Sequence, residues 1–139
     1  AEHVLEKMCR RSLDRVAFGK ALADQSVTRE RIAEARMRID QARLLVLNAA
    51  ARVDAVGGKG ARKEIAAIKV AAPMMLVQIV DWAIQLFGAA GVTDDHGLGY
   101  AYARARIMRF VDGPDEVHRN TIASMELAKY RKPGGAAGR

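Results

Sequence analysis

The sequence predicts an all-α protein, an up-down helical bundle built on two long antiparallel helices. Three observations predict it. Apolar residues recur in steps of three and four along most of the chain, the spacing of one helix face. Ala, Arg, Leu, Ile, Met and Glu dominate the long segments, a composition that favours helix. No alternating apolar–polar run reaches a useful strand length. The 139 residues, half of them apolar and 5% aromatic, suffice for one domain with a real core.

Residues 2–15 form the first expected helix, with Val4, Leu5, Met8, Ser12 and Leu13 near one stripe. Phe18-Gly19-Lys20 interrupts it. The second is expected from Thr28 to Val56, where Ile32, Ala35, Ile39, Ala42, Val46, Ala49 and Val53 keep a seven-residue repeat, a bundle seam. Gly57-Gly58-Lys59-Gly60 ends it. The third runs from Ala61 to Phe87 on Ile65, Ile68, Ala72, Met75, Ile79, Trp82 and Leu86, and Val70, Met74, Val77, Ile84 and Phe87 widen its apolar surface. Such a helix is buried on more than one side. Pro73 inside it predicts a local bend rather than a break. Each long helix has about 27 residues, about 40 Å at ~1.5 Å per residue. Gly88-Ala-Ala-Gly91 caps the third helix, residues 93–97 make a polar loop, a short helix covers 98–110, and the last covers 114–130. The bundle thus spans residues 1–130, and 131–139 read as a disordered tail. Two helices of this length leave an apolar flank that a second copy or further domains would cover.

The balance of charge is +7, from 23 basic and 16 acidic residues. The signs are interleaved, as in Glu30 and Glu34 beside Arg31 and Arg38, and aromatics do not accompany the basic residues, so a nucleic-acid partner is not expected. No run approaches the roughly 20 apolar residues of a membrane span, and no signal peptide opens the chain. Ala1 lies inside a helical pattern, which reads as a piece of a longer protein. The lone Cys9 excludes an internal disulfide and fits a reducing compartment as a small half-buried side chain. His3, His96 and His118 lack metal-ligand spacing, and no metal is expected. Gly57–Gly60 lacks the strand context of a phosphate loop and reads as a turn.

The most informative stretch is Arg109-Phe-Val-Asp-Gly-Pro-Asp-Glu-Val-His-Arg119. Gly113-Pro114 breaks one helix, and Pro114 suits the first position of the next. Asp112 is therefore fixed at a helix junction. Its carboxylate either caps the new helix or points into a cleft as a general base.

Three motifs in order, Arg15-Val-Ala-Phe18-Gly19-Lys20-Ala-Leu22, Gln85-Leu-Phe-Gly88-Ala-Ala-Gly91 and Asp112-Gly113, resemble the C-terminal domain of acyl-CoA dehydrogenases over residues 1–130. Lys63-Glu-Ile-Ala-Ala-Ile-Lys69-Val-Ala-Ala-Pro73 and Asp112-Gly-Pro-Asp-Glu-Val-His118 look most like the branch whose animal members are fused to a kinase-like domain. The resemblance implies an FAD-dependent enzyme that also has N-terminal helical and middle β-domains, without counterpart in this chain. It implies assembly as a homodimer or homotetramer through the bundle, with FAD across a subunit boundary. An acyl-CoA is the implied substrate and an electron-transfer flavoprotein the implied acceptor.

Carried over by position, Arg15 matches the arginine on the FAD diphosphate, where a guanidinium gives two directed, charge-assisted bonds. Phe18 matches the aromatic at the adenine end. Gln25, with Ser26 as competitor one residue on, matches a polar cofactor contact. Gln85 and the backbone of Gly88 and Ala89 match a second contact, Ala89 replacing a commoner glycine. Glu116 stands where many members carry Gln near the adenine. Asp112 matches the catalytic base, usually Glu, that takes the α-proton of an acyl thioester, and Gly113 leaves room for that thioester. Some members place the base on an upstream helix, where this chain offers Glu2 and Glu6.

The rival reading is a non-catalytic helical oligomerisation module, with nucleic-acid binding driven by charge as a weaker third. Composition points to a bacterial cytosol, with mitochondrion or peroxisome expected for a eukaryotic source.

Overall fold

The computed structural model describes residues 1–131, so most of the expected tail, 132–139, lies outside the described residues. Five helices form: α1 (Glu2–Asp14), α2 (Ser26–Gly60), α3 (Arg62–Phe87), α4 (Leu98–Ile107) and α5 (Asp115–Ala128). The first three run up, down and up. Arg36 on α2 binds Glu2 at the start of α1, and Arg38 stacks on Trp82 near the end of α3, so α2 is antiparallel to both neighbours. The fourth column of the bundle is split. α4 descends along the C-terminal half of α3 and α5 continues along its N-terminal half, with Arg119 meeting Met74. The junction between them falls beside the middle of α3.

The core lies where α1, α2, α3 and α4 meet: Val4, Leu5 and Met8; Ala35 and Ile39; Ile79, Val80, Ala83 and Phe87; Leu98. Ser12 is buried too, and its hydroxyl donates to the Met8 carbonyl at 2.6 Å. Leu13, placed on the same stripe by the sequence, is instead 70% exposed, because the stripe turns away after Ser12.

The seam of α2 is covered over only half its length. Ala35, Ile39, Ala42 and Ala49 are buried, whereas Val46 and Val53 are exposed, with Leu44, Leu47 and Val56 beside them. On the far half of α3 the helix opposite α2 is α5, which does not cover the outer face of α2. The helix also outlasts its expected end. It bends at Gly57, whose φ of 72° is non-helical, and carries on through Gly60.

α3 is packed by all four other helices, which is why its apolar surface is so wide. Its buried residues are Ala66, Pro73, Ile79, Val80, Ala83 and Phe87, of which only Ile79 lies on the expected stripe. Helices on several sides leave no single dominant face, so small side chains at close crossings become the deepest. α3 passes through Pro73 unbroken; the ring only removes the bond to the Lys69 carbonyl. The stretch Arg62–Val92 is long and apolar enough to cross a membrane by length and composition alone, with a mean hydropathy of 1.6 in its most apolar window, but the core helix of a bundle passes the same test. Here it is the central helix of the bundle.

After α3 a tight turn, Gly88–Val92, folds back on the helix end. A Cβ at Gly91 would stand 2.6 Å from the Ile84 carbonyl oxygen, so only glycine fits there. Between α1 and α2, residues 16–21 form a small antiparallel hairpin that the sequence did not suggest, Val16–Ala17 against Lys20–Ala21.

At the α1–α2 contact, Glu2 is held by Arg36, whose two guanidinium nitrogens donate at 2.7 and 2.9 Å, and by Arg43. These bonds, Arg36 first, lower its carboxyl to about 2. The group is depressed on folding, so its contribution is present above the ordinary carboxylate range and disappears as pH falls from about 4.5 to about 2. The expected result is a melting-temperature gap between the wild type and Glu2→Gln that is open at pH 6, closes towards pH 2, and narrows in high salt. A gap that widens on acidification would contradict this account.

Candidate functional site

Two residues other than glycine have positive φ among the described residues, Phe18 at 53° and Asp112 at 55°. Both were singled out from sequence. Left-handed backbone costs a non-glycine residue roughly 1–2 kcal/mol and persists where the surroundings over-determine it, typically at functional sites.

Phe18 and Gly19 are the two central residues of the hairpin, both left-handed, as a type I′ turn requires. The turn displays the Phe18 ring with 100% exposure. Arg15 caps α1 with extended backbone, and its carbonyl accepts the Leu22 N–H at 2.8 Å. Its exposed guanidinium makes no ion pair among the described residues. Gln25 occupies the N-cap of α2, but its side chain makes no capping bond and is left for other partners. Ser26 is the first, exposed residue of the helix. Gln85 is exposed near the end of α3, and Gly88 follows with φ 65°. Ala89 is exposed. The Arg11 guanidinium lies over the Phe87 ring at 5.3 Å. Arg15, one turn beyond Arg11, and Gly88, next to Phe87, therefore belong to one end of the bundle.

Asp112 is elsewhere. Its loop is tied to α3 by the Lys69 ammonium, which donates to the Val111 carbonyl at 2.8 Å. Lys69 and Gln85 are sixteen residues apart on one helix, about 24 Å at ~1.5 Å per residue. One copy thus brings the nominated cofactor residues together, apart from Glu116, and holds Asp112 and Glu116 well away from them.

The Asp112 carboxylate is exposed and makes no hydrogen bond or ion pair among the described residues. Its backbone N–H likewise has no acceptor. It does not cap α5. Pro114 takes the N-cap position itself, rather than the first helical position expected, and no side chain caps the helix. The capping alternative is thereby removed. Gly113 has φ 107°, and a Cβ there would stand 3.2 Å from Nε2 of His118. Glu116 is exposed in the first turn of α5. Glu2 and Glu6, the upstream carboxylates, are both committed to arginines, Glu6 to Arg10 at 2.7 Å.

Sequence reasoning missed the residues that support the loop. Arg109 donates through Nε to Oδ2 of Asp115 at 2.7 Å, and Asp115 is only 2% exposed. Arg119 adds a longer contact to the same oxygen at 3.8 Å. The only sequence signal was a basic and an acidic residue flanking the Gly-Pro break. A groove of about 480 Å³ between α2 and α3, lined by Arg38, Ala42, Leu45, Met74, Met75 and Gln78 among others, contains none of the nominated residues.

The family model described as "Acyl-CoA dehydrogenase, C-terminal domain" matches residues 1–127. The chain belongs to the acyl-CoA dehydrogenase family. Human acyl-CoA dehydrogenase family member 11 is 51% identical over 95% of the chain, which spans 17% of that relative. A solved structure from Mycobacterium abscessus, assigned as an acyl-CoA dehydrogenase, superposes with a TM-score of 0.91 at 53% identity, covering 94% of this chain and 32% of that one. PigA, solved with FAD and proline, superposes at 0.84 with 26% identity over 92% of this chain and 33% of its own. The chain therefore spans a sixth to a third of these acyl-CoA dehydrogenase relatives and the PigA chain, and the bundle is their shared helical part.

Proposed function

We propose that this chain is the C-terminal domain of an FAD-dependent acyl-CoA dehydrogenase in which Asp112 removes the α-proton of an acyl-CoA thioester. The observation that carries the reading is the pair of left-handed residues. Among the described residues other than glycine, Phe18 and Asp112 alone have positive φ, and each falls where the family resemblance assigns a role.

The residues present fit FAD by their chemistry. An unpaired guanidinium (Arg15), a bare aromatic ring (Phe18), two amides (Gln25 and Gln85) and an open backbone at Gly88–Ala89 offer a diphosphate and an adenine what they require. Glu116 adds an acceptor at the start of α5. FAD, when bound, supplies the acceptor for the hydride leaving the β-carbon. The protein's own part is proton transfer and charge stabilisation. Asp112 holds a free carboxylate, and its unpaired N–H donates to the thioester oxygen as negative charge builds there. Gly113 keeps the approach clear. Substrate covers the carboxylate and desolvates it, which strengthens it as a base.

The roughly 24 Å between the two groups along α3 suits a cofactor shared by two copies. The uncovered stripe of Leu44, Val46, Leu47 and Val53 provides the apolar surface for such a homodimer or homotetramer. An electron-transfer flavoprotein is the proposed acceptor of the reducing equivalents.

The test is spectroscopic. The intact enzyme carrying this domain is expected to be yellow from bound FAD and to bleach when an acyl-CoA is added without oxygen. A colourless protein, or a spectrum indifferent to acyl thioesters, would leave the bundle as an assembly module.

A further inference from the structure

We infer that Arg109 and Asp115 are positioning residues that clasp the neck of the Asp112 loop and fix the carboxylate in its left-handed setting. The inference rests on Asp112 being the base. The two residues meet twice. The Asp115 N–H donates to the Arg109 carbonyl at 3.1 Å, the Arg109 Nε–H donates to Oδ2 of Asp115 at 2.7 Å, and Nη2 lies in ion-pair contact with the same oxygen at 2.7 Å. Main chain and side chain thus close the same loop at the same point. Asp112 lies three residues from either side of the neck, at its apex.

Stability alone does not account for this pair. Asp115 is buried, and a buried ion pair is replaced by apolar side chains of like size with little loss, whereas its geometry is directional. The loop has further fastenings that bear on the same residue. Lys69 holds the Val111 carbonyl, next to Asp112, and the His118 ring packs close enough to Gly113 that a Cβ there would stand 3.2 Å from its Nε2. Free of these ties, Asp112 would leave the disfavoured φ of 55° and carry its carboxylate with it.

The experiment uses the intact holoenzyme with the paired substitution Arg109→Gln and Asp115→Asn, which removes both charges together and leaves neither charge behind unpaired. FAD content, melting temperature, acyl-CoA affinity and single-turnover flavin reduction are measured with ordinary and α-deuterated acyl-CoA. FAD content and affinity are expected to stay near wild type while reduction slows on the order of 100-fold, the effect of misplacing a catalytic group by about 1 Å. The α-deuterium isotope effect is expected to rise, because proton removal becomes limiting. Arg109→Lys is expected to recover part of the rate. Reduction at the wild-type rate, or a slowdown fully explained by lost FAD, would overturn the clasp. Should the paired variant not fold, Arg109→Lys, which keeps the charge and loses the two-nitrogen guanidinium face, takes its place; slower reduction with a larger isotope effect supports the inference, and unchanged reduction overturns it. Asp112→Asn is run in parallel. Its full activity sinks the base assignment, whereas an inert Asp112→Asn beside an undisturbed paired variant sinks only the clasp.

Discussion

Replacing Asp112 with Asn in the intact enzyme is expected to slow flavin reduction by acyl-CoA about 10² to 10⁴-fold, the range a positioned acid–base group supplies. At the midpoint this is about 4 kcal/mol of barrier. FAD is expected to remain bound, since every nominated FAD contact but Glu116 lies at the other end of α3. The substitution is a clean one. Asn is nearly the same size, and it tolerates left-handed backbone about as well as Asp, so the loop at φ 55° keeps its shape. The carboxylate makes no bond to other protein groups, so its loss orphans nothing. Stopped-flow absorbance at the flavin band gives the rate. A variant that bleaches as fast as wild type would return the proton-abstracting role to another carboxylate. The neighbours are poor substitutes, because Glu2 and Glu6 are engaged by arginines and Asp115 is buried in its pair with Arg109.

Ile79→Ala is expected to cost about 2–5 kcal/mol of stability, against less than about 1 kcal/mol for Leu47→Ala in the same isolated chain. Both are large aliphatic residues on long helices. Ile79 is fully buried where four helices meet, so its removal loses transfer energy and leaves a cavity that a close-packed core cannot refill. Leu47 is 58% exposed on the uncovered half of α2. Urea unfolding followed by circular dichroism measures both. If the chain self-associates through that half of α2, the Leu47 cost grows with protein concentration and the Ile79 cost does not. Equal losses at low concentration would contradict the burial described above.

The contrast shows what the sequence could express. Periodicity located α2 and α3, and Ala35, Ile39 and Ala42 are buried as their spacing demands. Val46 and Val53 obey the same spacing and are exposed, because a repeat records that a face is apolar and not which chain covers it. On α3 only Ile79 of the expected stripe is among the buried residues, since a helix packed on every side loses the asymmetry that periodicity detects. The site was legible in part. Asp112 stood out because Gly-Pro marks a junction, and Phe18-Gly19 because it breaks a helix. The hairpin around Phe18 was not, since the sequence lacks the Asn-Gly or Asp-Gly pair that usually announces a type I′ turn. Nor was the Arg109–Asp115 pair, whose partners become neighbours only once the loop closes.

The split in the fourth column has an evolutionary corollary. Because α4 and α5 pack separately on α3, the exposed side chains of Phe110 and Val111 between them can change without shifting the register of the long hairpin, so long as Arg109, Asp112 and Gly113 are kept. Most bundles can vary only their end loops without disturbing the core; this one has an adjustable segment half-way up its wall. On the proposed function, a library randomised at Phe110 and Val111 is expected to shift acyl-CoA preference while the melting temperature stays near wild type.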